Sequence, residues 1–405
     1  MKKMNLQNVR ILDFTWAWAG PFGTLLLAFM GAEILKVESI VRLDHSRIRT
    51  LASGPSYGGP NQAGPFNDLN LNKKSITLNL SDPRGVELIK RLVPHCDVVA
   101  NNFRPGVMEH WGIGYENLRK IKPDIIMLSS SACGAVGPER HYIGYAPSFC
   151  ALGGISHLTG YRDRAPVSVG GRIDTSSGTA GAFAILAALI YRHRTGRGQH
   201  IDLSSREAVT ALIGDSIMEY LFTVNVPMRA GNRESYAAPH NAYRCEGYDA
   251  WISIVVTTEE EWLALCDAMG APELKSDPRF RTVADRVKHC EALDQIVSQW
   301  TVNKNYYAVM AILQAKGVAA VPTFDGQTLS QDEHIKARRI FVKVKPPEMK
   351  ERTVVRAPWL TGPPEEQDLP CPAPLLGEHN DYVFSEILNM SSEEIEKLQE
   401  EKVIC

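Results

Sequence analysis

The spacing of apolar and polar positions divides the chain into alternating elements. An apolar run at 9–14 is followed by the break Ala19-Gly20-Pro21, a small-residue apolar stretch at 22–30 and a second apolar run at 32–38. The flanking runs have strand length and the middle one helical composition, so the opening reads strand, turn, helix, strand. The alternation continues as strand 75–80, helix 83–92, strand 97–100, helix 106–110 and strand 124–129. Strands separated by helices imply a parallel sheet with helices on its faces, an open α/β domain. Residues 174–194, DTSSGTAGAFAILAALIYRHR, begin with cap-forming residues and end in basic ones before Gly196. They are apolar nearly all round, which predicts a buried helix, with strand 200–205 after it.

A different pattern begins near residue 229. Positions 243–256 alternate like a hairpin, and helical segments follow at 259–269, 283–299 and 306–315. The tail carries a strand-like run at 340–344, the Pro-rich stretch PWLTGPPEEQDLPCPAP and an amphipathic helix at 392–401. The predicted division is an α/β region over 1–205, a linker 206–228, a smaller α+β domain 229–325, and a linker and tail 326–405.

Composition narrows the function classes. A net charge of −2 supplies no basic field, so neither nucleic acid nor an anionic membrane is expected as a partner. The start, MKKMNLQNVRILDF, lacks an uninterrupted apolar core for a signal peptide, and the apolar stretches 24–30 and 180–191 are too short to span a bilayer. Eight scattered cysteines without a C-x-x-C pair argue against a disulfide framework or a zinc site, and favour the cytoplasm. No metal ligand set is expected.

The candidate chemistry lies at strand ends. The first turn reads A-G-P-F-G and lacks the glycine spacing of a dinucleotide fingerprint, although Glu38 closes the second strand as a ribose-binding acid would. Asn72-Lys73-Lys74-Ser75 and Asn102-Phe103-Arg104-Pro105-Gly106 read either as solvated turns or as one rim of the sheet. On that rim the cations would neutralise phosphates and Phe103 would stack on a base. Asp174 before its helix reads either as a structural N-cap or as a nucleophile kept ionised by the helix dipole.

Five segments, in order, resemble family III CoA-transferases over nearly the whole chain: VRILDFTWAWAGPFGTLLLAFMGAEILKVE, FNDLNLNKKSITLNL, NNFRPGVMEHWGIGYENL, GRIDTSSGTAGAFAILAALIYRHRTGRGQHIDLSSRE and LGEHNDYVFSEIL. The resemblance implies an open Rossmann-like sheet in a large domain built from both chain ends, with a smaller α+β domain between. It implies two subunits threaded like linked rings, as a homodimer or as a heteromer with a related subunit. Asp174 falls at the nucleophile position, and Lys74, Asn102 and Phe103 at positions that hold CoA, with Arg104 and Leu71 beside them. No permanently bound cofactor is implied; CoA thioesters are substrates.

Trp18 stands where formyl-CoA transferases carry a glutamine. With Trp16 and Phe22 it makes the first turn aromatic, either as core packing or as a substrate pocket wall with Ala19. Ala19, the neighbouring glycines and the two indoles are candidate donors to an oxyanion. The related α-methylacyl-CoA racemases need a histidine in G-H-D-x-x-Y, where this chain has Gly144-Tyr145-Ala146-Pro147-Ser148-Phe149. Tyrosine is a poor proton shuttle at neutral pH, so transferase is the expected chemistry and Tyr145 a pocket residue. The overall pattern resembles transferases that take succinyl-CoA as donor and an aromatic or branched acid such as benzylsuccinate as acceptor, which the aromatic turn would suit. Arg233, His240 or Arg244 would then pair with a free carboxylate.

Overall fold

The computed structural model describes residues 5–50, 54–55 and 59–405. The chain divides into two compact units, one of residues 1–157, 168–226 and 334–405, the other of 158–167 and 227–333.

The larger unit is built on six strands: β1 (Arg10–Asp13), β2 (Glu33–Glu38), β3 (Lys73–Thr77), β4 (Val98–Asn101), β5 (Ile126–Ser131) and β6 (His200–Ser204). Every pairing is parallel and the spatial order is β3-β2-β1-β4-β5-β6. The chain runs outward from β1 in one direction, then returns to its other side and runs outward again. Such a reversal leaves a crevice beyond the carboxyl ends of β1 and β4, where ligands bind in open sheets of this order. The fold is therefore the predicted Rossmann-like one.

Alternation along each strand feeds two cores. Ile11, Val98, Ala100, Ile126 and Leu128 face α1 (Ala19–Phe29) and α3 (Asp174–Thr195). Leu12, Val99 and Met127 face the opposite layer, with α2 (Pro83–Leu92). The C-terminal segment closes that second layer with Val383, Phe384, Ile395 and Ile404. It also reaches the edge strand β3 and the turn after it: His379 N–H donates to Ser75 O (2.9 Å), and Asn79 N–H to Val403 O (2.9 Å). Both chain ends thus build one domain, and an otherwise open sheet edge is covered.

Two elements depart from the pattern reading. α1 starts at Ala19, before Pro21, because a proline in the first turn gives up only an N–H that has no helical partner. α3 is not buried all round. Its face Ser177, Gly178, Gly181, Ala182, Ile185 and Ala188 is packed, while Phe183 is 73% and Ile190 56% exposed. By length and composition Gly170–Thr195 could cross a membrane, yet its packed face belongs to the core beneath the sheet.

The smaller unit carries an antiparallel sheet of β7 (His240–Arg244), β8 (Trp251–Val255) and β9 (Ala319–Pro322), with helices Glu259–Met269, Cys290–Thr301 and Tyr306–Gln314. Its core holds Trp262, Phe280, Ile252 and Leu313. Arg233 there sits 3.7 Å from both Glu291 and Asp294. Residues 206–228 carry helices Ser205–Thr210 and Gly214–Thr223, so this stretch is structured.

Candidate active site

The crevice at the strand reversal holds a cavity of about 730 Å³. Trp16, Trp18, Ala19, Asn102, Phe103, Arg104, Tyr145 and Asp174 all line it. Eight residues scattered over the sequence thus meet at one sheet edge, because each follows the carboxyl end of a strand or begins a helix there.

Asp174 is the first residue of α3, preceded by the short helical turn Gly170–Ile173. That turn already continues the helix backward, so the carboxylate is not spent on capping. It takes no hydrogen bond or ion pair among the described residues. Burial alone pushes its pKa up to about 6, against the dipole effect expected from its position. A methyl group on Gly171 would stand 3.7 Å from Asp174 Oδ2 and 3.9 Å from Trp18 Cε3. The space beside Gly171 that a side chain would fill therefore borders both the carboxylate and the indole.

The other wall is the loop between β1 and α1, and nearly every polar backbone group in it is tied down. Thr15 N–H donates to Asp13 Oδ1 (2.9 Å), and Trp16 N–H to Asn102 Oδ1 (2.7 Å). Asn102 Nδ2 returns a bond to Trp16 O (2.8 Å), and Ala17 N–H donates to Asp44 Oδ1 (3.0 Å). Asn102, implied as a CoA contact, thus uses its amide to clamp the loop. Ala17 sits at φ +64°, a left-handed conformation that costs an alanine about 1 kcal/mol. Beyond it, α1 starts without a side-chain cap, and Trp18 and Ala19 line the cavity. A carboxylate without a partner can attack a carbonyl, and N–H groups at a helix start in the same cavity can stabilise the oxyanion that results.

Buried ion pairs support the loop. Asp13 faces Lys73 (3.4 Å), Lys36 faces Asp44 (3.0 Å), and Arg47 grips Glu38 through two bonds (2.7 and 2.8 Å). Burial pushes Lys73 down to about 8, although its amine also reaches Thr24 Oγ1 (2.8 Å) and Asn70 Oδ1 (2.9 Å). Removing one partner of such a pair costs about 3–5 kcal/mol, so the loop stands on a rigid floor.

Phe103 makes edge contacts with Trp16 (5.6 Å) and Trp111 (5.5 Å), forming an aromatic wall beside the exposed Arg104. Two expected contacts are placed elsewhere. β3 begins at Lys73 in a parallel sheet, so residues 72–75 lie toward its amino end and do not share the rim of residues 102–106. Lys74 reaches Glu33 (2.7 Å) and the Tyr382 ring (3.8 Å). Leu71 is buried with Leu25, Val342, Val344 and Val354. Neither lines the cavity. Pattern reading missed Arg42, stacked 5.2 Å from the Trp16 ring, and His45, edge-on to it at 6.0 Å. Their position just past β2, on the same rim as the other strand ends, was the available signal.

Comparison with known proteins agrees with this architecture. The chain matches "CoA-transferase family III" over residues 6–380. It is 37% identical to a succinyl-CoA–D-citramalate CoA-transferase of Chloroflexus aurantiacus, covering 98% of each chain. It is 30% identical to the mouse succinyl-CoA:glutarate CoA-transferase, over 97% of this chain and 88% of that one. Among solved structures it resembles a CAIB/BAIF family protein from Brucella suis, with TM-score 0.82 and 29% identity over 95% of this chain and 100% of that one. A crevice built around Asp174, on a chain that matches this family nearly from end to end, makes the protein a member of the family III CoA-transferases.

Proposed function

We propose that the enzyme takes succinyl-CoA as donor, works by covalent catalysis on Asp174 and passes CoA to a second carboxylic acid. The observation that carries this is the Asp174 carboxylate, unpaired and partly desolvated in the wall of the cavity. A desolvated carboxylate is more basic and less shielded by water, yet with a pKa of about 6 it is mostly ionised at pH 7.

Its oxygen attacks the thioester carbonyl, the C–S bond breaks, and CoA leaves as thiolate with an acyl–aspartyl anhydride behind. The thiolate then attacks the aspartyl carbonyl and expels the donor acid as carboxylate, leaving an aspartyl-CoA thioester. The acceptor carboxylate attacks that thioester, the thiolate departs, and its return to the acceptor carbonyl frees Asp174. Every nucleophile and every leaving group is an anion, so no step consumes a proton. What the protein must supply is stabilisation of the tetrahedral oxyanions, the role we assign to the N–H groups of Trp18 and Ala19. Phe103 and Arg104 are the proposed contacts for the base and phosphates of CoA.

The relatives named as succinyl-CoA transferases of citramalate and glutarate support succinyl-CoA as donor and a dicarboxylic acceptor. The aromatic wall of Trp16, Trp18 and Phe103 supports a bulkier acceptor such as benzylsuccinate. Incubation with succinyl-CoA and hydroxylamine is expected to leave a hydroxamate on the peptide carrying Asp174, read by mass spectrometry and missing from Asp174→Ala. An unmodified peptide across a panel of acyl-CoAs would remove the covalent mechanism.

We also infer that a second copy of the chain is the partner. Helix Gly214–Thr223 buries none of its residues and exposes Leu221 and Phe222, adding to the bare face of α3. A soluble monomer rarely leaves so many large apolar side chains open on its helices. A linked-ring homodimer would cover it, and a relative named as a beta subunit supports a heteromer as the other possibility. Light scattering of the purified chain is expected to give twice the 44.9 kDa of the monomer; a monodisperse monomer would overturn the inference.

A further inference from the structure

We propose that Asp44 is a positioning residue for the transfer, whose hydrogen bond to the Ala17 amide holds the loop Thr15–Trp18 in the shape that sets the start of α1 against Asp174. The proposal rests on the reading that Asp174 is the nucleophile. Asp44 does not line the cavity, so it acts only through other residues.

The geometry is closed on every side of the Asp44 carboxylate. Oδ1 accepts from Ala17 N–H (3.0 Å) and Ser46 N–H (2.8 Å), and Oδ2 from Lys36 Nζ (3.0 Å). Lys36 Nζ also donates to Thr15 O (2.8 Å), so one fully buried pair grips the loop at two residues. From the other side Asn102 holds the N–H and the carbonyl of Trp16 between them. Three consecutive residues are therefore pinned by side chains from two strand ends.

The middle of the pinned stretch is its least comfortable point. Ala17 at φ +64° has a β-carbon and no glycine's freedom, and alanine keeps such a conformation only where its surroundings impose it. Asp44 supplies the bond at that residue. Without it, Ala17 is free to relax to negative φ, and the change passes directly into Trp18 and the first turn of α1. Trp18 and Ala19 line the same cavity as Asp174, and Ala19 O packs against Gly178, one turn along the helix from Asp174. A displacement there therefore costs rate and not binding.

The test compares two double variants that both remove the buried charge pair. Lys36→Gln/Asp44→Asn keeps an acceptor for Ala17 and a donor for Thr15; Lys36→Met/Asp44→Ala keeps neither. The Gln/Asn variant is expected within about 3-fold of the parent kcat, and the Met/Ala variant about 30-fold below it with KM for succinyl-CoA changed less than about 3-fold. Equal loss in both would assign the effect to the charge, and parent-like kcat in both would show that the bond does nothing; either overturns the proposal. Ala17→Pro leaves the pair intact while removing the donor and fixing φ near −65°, so it reports even where the Met/Ala variant fails to fold. It is expected to lose kcat as the Met/Ala variant does, and parent-like turnover would again overturn the proposal. Hydroxylamine trapping separates this from the underlying reading. No adduct in the parent removes covalent catalysis, whereas an adduct formed at the parent's rate in the Met/Ala variant removes the positioning role alone.

Discussion

Asp174→Asn is expected to lower kcat/KM by about 10,000-fold or more and, at pH 7.5, to make the protein more stable. The first effect follows from removing the only nucleophile that the protein supplies in the proposed cycle. The second follows from burial. The folded protein holds this carboxyl at about 6, while in the unfolded chain it titrates near 4. Between those values the unfolded chain has released the proton and the folded chain has kept it. Folding therefore loses free energy as pH rises through that window, and the loss is complete above about 6. Asparagine carries no charge to bury, so the variant should gain roughly 1–3 °C in Tm at pH 7.5, with the gain shrinking toward pH 4.5. The same titration should appear in the parent's activity as an acid limb, kcat/KM falling below an apparent pKa of about 6. An asparagine variant less stable than the parent at pH 7.5 would mean that the carboxylate is held by favourable contacts. Activity flat down to pH 5 would mean that ionised Asp174 does not begin the reaction.

Much of this site was legible because its residues fall at the ends of pattern-defined elements. The alternation of 9–14, 32–38, 97–100 and 124–129 with helices places the first turn and residues 102–106 directly after strands, where the cavity lies. Three things were not legible, each for a physical reason. Lys74 lies one residue from Lys73 in a strand, and a shift of one residue reverses the face. The sequence does not say which lysine looks inward: Lys73 is buried against Asp13, while Lys74 pairs with Glu33. The stretch around Asp44 reads SIVRLDHSR, a polar loop by composition, and nothing local marks that Lys36, Asp44 and Arg47 are fully enclosed. Only the tertiary closure over them does. The composition of α3 promised burial on all sides, yet Phe183 is 73% exposed, because a run that is apolar all round does not say which of its faces meets the core.

Gly178→Ala is expected to be damaging out of proportion to one methyl group. α1 and α3 cross with glycine against glycine, and a β-carbon at Gly178 would stand 2.4 Å from Ala19 O and 3.0 Å from Gly23 N. The reciprocal position is as tight, since a β-carbon at Gly23 would meet Gly178 O at 2.6 Å. These are backbone atoms, which cannot swing aside as the end of a side chain would, so the two helices must separate. Overpacking of this kind costs about 1–3 kcal/mol, a fall of several degrees in Tm. The larger consequence is for catalysis. Gly178 lies one helical turn after Asp174, and Ala19 begins the turn whose N–H groups are the proposed oxyanion donors. Separation at the crossing opens the distance between nucleophile and donors, and a displacement near 1 Å is worth about 100-fold in kcat. Gly326→Ala provides the comparison, because a β-carbon there meets nothing within 4 Å and both Tm and kcat should stay with the parent. If Gly178→Ala kept the parent's kcat while losing Tm, the crossing would hold the fold without setting the reach of Asp174. The position of the nucleophile would then be fixed by the turn Gly170–Ile173 that precedes it.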